Sequence, residues 1–235
     1  MSDQVVVLTG GTGGLGTAVA KRLAADGASL AVTYLMPEEA TRFEEAVQLD
    51  ETRLLLKRVN ANDPEELSAF MKKTAERFGR IDALGALVGG WAGGRDIDET
   101  DDVRFERMID LNLRSAFYTV RSAIPHLKEA GGGRMVLVGS RAVDDAHAGQ
   151  AAFNAAKAGV VAIARTAAQE LGHHNITVNV VMPSVIDTPA TRATLPYADY
   201  VDWPTPDEIA AVVHFLLSGE SGVISGATIP VFGRA

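Results

Sequence analysis

The chain has 235 residues, 47% of them hydrophobic, enough for one well-filled domain with a sizeable core. A formal charge of −8 without a long basic run argues against nucleic acid and anionic membranes as partners. The absence of cysteine excludes disulfides and thiol nucleophiles and suits a reducing, cytoplasmic setting.

The opening "MSDQVVVLTGG" enters a strand at 4–8 without a charged-then-apolar leader, and no apolar stretch in the chain is long enough to span a bilayer. A glycine-rich turn at 8–16 leads into an amphipathic helix at 15–26, followed by a strand at 28–34 and a helix at 38–49. "TRLLLKRV" (52–59) reads as the third strand. "NDPEEL" (62–67) reads as the capped start of a helix over 64–78, with Pro64 in its first turn and acids at its positive end. A strand at 82–88 precedes one long helix at 101–129, and a strand at 134–139 precedes a helix at 150–172. Strands at 176–181 and 226–231, with a helix at 205–218 between them, complete the order. Most strands are apolar on both faces, as they are when helices cover a parallel sheet. Strict alternation predicts one doubly wound α/β domain over 1–235, of Rossmann type, with about seven parallel strands and right-handed crossovers.

In "LTGGTGGLG" (8–16), glycines permit positive φ and let a ligand approach the backbone closely. The helix start behind them offers unpaired N–H groups and a partial positive charge, which suit a diphosphate. The spacing Thr9-Gly10-x-x-x-Gly14-x-Gly16 resembles the T-G-x-x-x-G-x-G turn of the short-chain dehydrogenase/reductase family, and the resemblance runs over essentially the whole chain. Asn112 in "DLNL", Ser140 at the end of "MVLVGS" and Lys157 match three of that family's four site residues. Phe153 stands at the fourth, where the family has a catalytic tyrosine. Wording in "ALVGGWAGG" (86–94), "DTPATR" (187–192) and "LPYADY" (195–200) further resembles the dihydropteridine reductases within that family.

The resemblance implies hydride transfer between NAD or NADP and a carbonyl or quinonoid, pterin-like compound. Lys157 would hold the nicotinamide ribose, Ser140 would hydrogen-bond the carbonyl oxygen, and Asn112 would hold a water linking the lysine to solvent. Phe153 can transfer no proton, and loss of a general acid typically removes roughly 10²–10⁴-fold in rate. Three readings stay open at this point: an impaired enzyme, a non-catalytic dinucleotide-binding sensor or scaffold, or another donor such as Tyr197, Tyr200, His147 or a water on Ser140. Around the dinucleotide the resemblance places Gly10, Thr12, Gly13, Gly14, Leu15, Gly16, Tyr34, Asn60, Ala61, Val88, Gly89, Gly90, Lys157, Pro183, Ile186 and Thr188.

At the end of strand two, where an acid would bond a ribose 2′-hydroxyl, stands Tyr34. The acidic "MPEEA" (36–40) nearby would repel a 2′-phosphate and favours NAD over NADP. Asn60 is expected to reach adenine through its side-chain oxygen. Trp91 either stacks on a flat substrate or packs beneath the next helix, and Arg192 either meets the substrate or faces solvent. Residues 189–203 are expected to form a mobile lid. The helices at 101–129 and 150–172 are expected to pair copies of the chain into a dimer or tetramer. No metal is expected.

Overall fold

The computed structural model describes residues 3–234; Met1, Ser2 and Ala235 of the expected 1–235 domain lie outside the described residues. Seven strands form one parallel sheet: β1 (Val5–Thr9), β2 (Ser29–Tyr34), β3 (Leu54–Arg58), β4 (Ala83–Ala86), β5 (Gly133–Val138), β6 (Ile176–Pro183) and β7 (Thr228–Val231). Their order is β3-β2-β1-β4-β5-β6-β7. All five side chains of β1 are buried, as its central place between β2 and β4 requires.

The helices are α1 (Gly14–Ala25), α2 (Pro37–Val47), α3 (Pro64–Phe78), α4 (Asp102–Met108), α5 (Ser115–Glu129), α6 (Ala142–Asp145), α7 (Ala151–Leu171), α8 (Pro189–Thr194) and α9 (Pro206–Leu217). They cover both faces of the sheet. Leu67, Phe70 and Met71 of α3 pack one face with Val120 of α5 and Val160 of α7. Leu15, Val19 and Leu23 of α1 pack the other with Phe43 of α2 and Ile209, Val213 and Leu217 of α9. Among the described residues no helix is long and apolar enough to cross a membrane.

The α3 start follows the expected capping. The Asp63 carboxylate accepts from Glu65 N–H and Glu66 N–H at 2.9 and 3.0 Å, and Gly79 ends the helix at φ +84°. At α9, Thr205 and Glu208 cap each other reciprocally ahead of Pro206.

The long helix expected at 101–129 runs continuously from Asp102 to Glu129 but changes its winding midway. Between α4 and α5 the backbone widens into a π-helical turn, Ile109–Arg114, that carries Asn112. Such turns insert one residue and re-aim a side chain, often at functional positions. The β strands also shift at their ends: β4 stops at Ala86, ahead of the glycines at 89 and 90, and β6 runs on to Pro183.

The sheet order makes β1 and β4 neighbours whose chains depart in opposite directions. A crevice opens there, at the carboxyl ends of the strands.

Candidate active site

A cleft of about 860 Å³ lies at that crevice. Its lining comes from the carboxyl ends of four strands: Gly10 and Gly13–Gly16 after β1, Gly89–Trp91 after β4, Ser140 after β5, and Pro183–Ile186 with Thr188 at the end of β6, joined by Phe153 and Lys157 from α7; the expected Thr12 and Val88 lie outside it.

The floor is built of glycines because it leaves no room for side chains. Gly10 has φ +67°, and a Cβ there would lie 2.9 Å from Val88 N. A Cβ on Gly16 would lie 2.5 Å from Gly11 Cα, so α1 can seat against its own turn only with glycine at both positions. Across the cleft, a Cβ on Gly14 would lie 3.0 Å from Thr188 Cγ2. Gly13 is the N-cap of α1 and supplies no side chain to it, and both Gly13 and Gly14 are exposed. The first amides of α1 therefore point at open space with the helix dipole behind them.

Opposite this turn stands Lys157, 4% exposed. Its Nζ donates to the Val138 carbonyl at 2.9 Å, and no carboxylate neutralises it among the described residues. Burial alone lowers its pKa from 10.5 to about 8. The Phe153 ring lies one helical turn earlier on the same face, its centroid 6.0 Å from Nζ, at the outer limit of a cation–π contact. Two hydrogens of the ammonium remain without a partner among the described residues.

Asn112 is fully buried and grips the turn after β4. Its Oδ1 accepts from Gly90 N–H at 3.1 Å, while Nδ2 donates to the carbonyls of Gly90 and Met108 at 2.9 and 3.2 Å. A Cβ on Gly89 would meet Asn112 Oδ1 at 2.9 Å and Lys157 Nζ at 3.0 Å, so the two polar groups flank one point on the cleft floor. The free lone pair of Oδ1 is what remains for the expected water. Ser140 Oγ accepts from Ala142 N–H at 3.2 Å, which starts α6 and leaves the hydroxyl hydrogen to donate.

Other expected residues are placed differently. Tyr34, Asn60 and Ala61 stand at or just beyond the ends of β2 and β3, outside the lining of this cleft. The Asn60 side-chain oxygen accepts from Asn62 N–H at 3.0 Å, so one of its lone pairs serves its own turn. Thr188 caps α8, its hydroxyl engaged by Thr191 N–H at 3.1 Å and Thr191 Oγ1 at 2.8 Å. Arg192 is held away from the cleft: it grips Asp187 through two bonds of 2.5 and 2.7 Å and lies over the Tyr200 ring, 3.9 Å from its centroid. That pair holds the Asp187 carboxyl below its usual range.

Trp91 lines the cleft, about half exposed, with Cζ2 only 2.9 Å from where a Cβ on Gly93 would sit. Of the donors considered in place of a phenol, Tyr197 is fully exposed and Tyr200 covers Arg192, whereas His147 does line the cleft. His147 Nε2 lies 3.5 Å from Asp145 Oδ2, which also meets Arg141 Nε at 2.8 Å. The sequence signal for this pair is the four-residue spacing of Arg141 and Asp145 directly after Ser140.

The chain and its fold have known relatives. Residues 4–197 match the family model described as short chain dehydrogenase. The chain is 35% identical to the 3-oxoacyl-[acyl-carrier-protein] reductase MabA of Mycobacterium tuberculosis, over 97% of this chain and 91% of that protein. It is 30% identical to levodione reductase of Leifsonia aquatica, over 99% and 94%. The crystal structure of carveol dehydrogenase from Mycobacterium avium in complex with NAD superposes with a TM-score of 0.90 at 29% identity, over 99% of this chain and 97% of that one. The chain belongs to the short-chain dehydrogenase/reductase family.

Proposed function

We propose that the cleft binds a nicotinamide dinucleotide, NAD or NADP, and that the protein transfers hydride between it and a carbonyl or quinonoid, pterin-like compound, with proton delivery impaired by Phe153. One observation carries this reading: an uncapped helix start on a glycine floor and a buried, unneutralised ammonium face the same cleft. The residues present fit the group. Amides of Gly14 and Leu15 suit its diphosphate, the glycine floor admits its backbone-close passage, and Lys157 has hydrogens left for a ribose hydroxyl. The dinucleotide supplies or accepts the hydride. Ser140 donates its hydroxyl hydrogen to the substrate oxygen, and Trp91 and Phe153 provide flat apolar walls beside it.

In this reading residues 189–203, with α8 and Trp203, act as the lid over the substrate half. Exposed Phe105 on α4 and Phe117 on α5 support pairing of copies through that face, giving a dimer or tetramer, and a cytoplasmic location accords with the lack of cysteine. Phe153 itself favours a second reading, a non-catalytic protein that binds the dinucleotide as sensor or scaffold.

Titration of NADH and NADPH against tryptophan emission tests the shared part of both readings, because Trp91 lines the cleft. Quenching with transfer to the nicotinamide is expected for at least one of them, and silence to both removes the assignment. Gly89→Ala provides a second check. The added methyl would lie 2.9 Å from Asn112 Oδ1 and 3.0 Å from Lys157 Nζ and so presses on both groups, and affinity for the dinucleotide is expected to fall about tenfold with the fold intact. Unchanged affinity would show that Lys157 does not touch the ligand.

A further inference from the structure

The strand order divides the cleft into two halves. Lys157, Ser140 and Phe153 stand on the β4–β5–β6 side, so a dinucleotide whose diphosphate rests on α1 must send its other ribose toward β2 and β3. The edge of that second half is tied down where Gly10 N–H donates to Thr33 Oγ1 at 3.0 Å. Just beyond it, at the position expected to carry an acid, stands Tyr34.

A carboxylate is nevertheless there. Glu39, in the first turn of α2, folds back so that one oxygen, Oε2, accepts from Leu35 N–H at 3.4 Å and Met36 N–H at 3.3 Å. The same oxygen accepts the Thr12 hydroxyl, from the glycine turn, at 3.4 Å. Helix capping accounts for the Met36 bond, since Glu39 is the third residue of α2. It does not account for the bonds to Leu35 and Thr12, which draw the carboxylate out of its own helix and across to the β1 turn. All three bonds are long, so the group is positioned without being saturated, and Glu39 is only half-buried. The nearby guanidinium groups are tied to backbone: Arg58 Nε to the Leu35 carbonyl at 3.1 Å and Arg42 Nε to the Glu38 carbonyl at 3.2 Å.

We infer that Glu39, reaching back from α2, replaces the acid missing at the end of β2 and makes the cleft select a dinucleotide with a free adenosine 2′-hydroxyl over one bearing a 2′-phosphate. A hydroxyl can donate to Oε1 or displace the Thr12 hydroxyl at Oε2. A phosphate at the same place brings two like charges against a fixed carboxylate. The inference rests on the dinucleotide reading above and adds the residue that sets the choice.

Paired calorimetric titrations of NADH and NADPH, and of ADP-ribose and its 2′-phosphate, separate the two levels. The wild-type protein is expected to bind the unphosphorylated member of each pair about tenfold tighter or better. Glu39→Gln keeps an acceptor for the helix cap and removes the charge. It is expected to bring the ratio within about threefold, chiefly by tightening the phosphorylated ligand. Should the variant disturb α2, the wild-type protein alone still reports: raising the salt concentration screens the repulsion and must shrink the ratio, while effects on the shared diphosphate cancel. A wild-type preference for the 2′-phosphate, abolished by Arg58→Ala, would overturn the inference and assign that position to Arg58. A preference that Glu39→Gln and salt leave untouched would reduce Glu39 to a helix cap. Binding of neither nucleotide would overturn the cofactor reading together with this one.

Discussion

Phe153→Tyr is expected to raise kcat/KM for reduction of an isolated ketone roughly 10²–10⁴-fold, the range that a positioned general acid contributes. Phe153 lines the cleft beside Ser140, 7% exposed, and Lys157 Nζ lies 6.0 Å from its ring centroid. A para hydroxyl would extend from that ring with a buried ammonium nearby to stabilise its phenolate, which lowers the phenol's pKa toward the working range. Dinucleotide affinity should stay within about threefold, because the diphosphate amides are unchanged and the ammonium has hydrogens to spare. A quinonoid acceptor should gain much less, since solvent can protonate a conjugated anion that an isolated alkoxide cannot wait for. That contrast tests proton delivery itself. Equal gains for both substrate types would point to packing, and no gain with any carbonyl, while NADH still binds, would favour the sensor or scaffold reading.

The same residue shows what the chain discloses without coordinates. The glycine spacing at 10, 14 and 16, the β-branched strand runs and the capped helix start at 62–67 act through neighbours in sequence, so their structural meaning is written locally. The parallel sheet follows from them, whereas the expectation that Ser140, Phe153 and Lys157 share one cleft comes from the family resemblance. What escaped depends on contacts that no local period encodes. The π-helical turn at Ile109–Arg114 leaves the apolar pattern of the 101–129 stretch intact while rotating Asn112 onto Gly90. The Arg192–Asp187 pair has no helical spacing to announce it, since Asp187 lies before α8 and only the turn at Thr188 brings the two together. Glu39 was visible as part of an acidic run, yet its reach to Thr12 spans 27 residues and depends on where α2 docks.

Lys157→Met is expected to stabilise the dinucleotide-free protein at pH 7 while weakening its hold on the dinucleotide. Burial lowers the folded-state pKa of Lys157 to about 8 from an ordinary 10.5. Below pH 8 both folded and unfolded chains carry the proton, and burial of the ammonium costs about 3 kcal/mol. Between pH 8 and 10.5 the unfolded chain binds more protons than the folded one, so wild-type stability gained from this group rises with pH and levels off above 10.5. Methionine has no such term. Its loss of the bond to the Val138 carbonyl returns part of the advantage, about 1–2 kcal/mol, because that oxygen loses its Lys157 partner. The net expectation is a variant more stable by about 1–2 kcal/mol at pH 7, an advantage that shrinks steadily as pH rises from 8 and disappears or reverses by 10.5. Denaturant midpoints at a series of pH values read this directly. A pH-independent loss of stability would mean that the ammonium is structural and well paired, which contradicts a group kept charged for a ligand. A stabilised variant with unchanged NADH titration would show that the protein tolerates the burial cost for some purpose other than gripping a ribose. Stabilisation together with weakened NADH binding ties the cost to the ligand: the fold holds a cation in a place that is favourable only once something arrives to meet it.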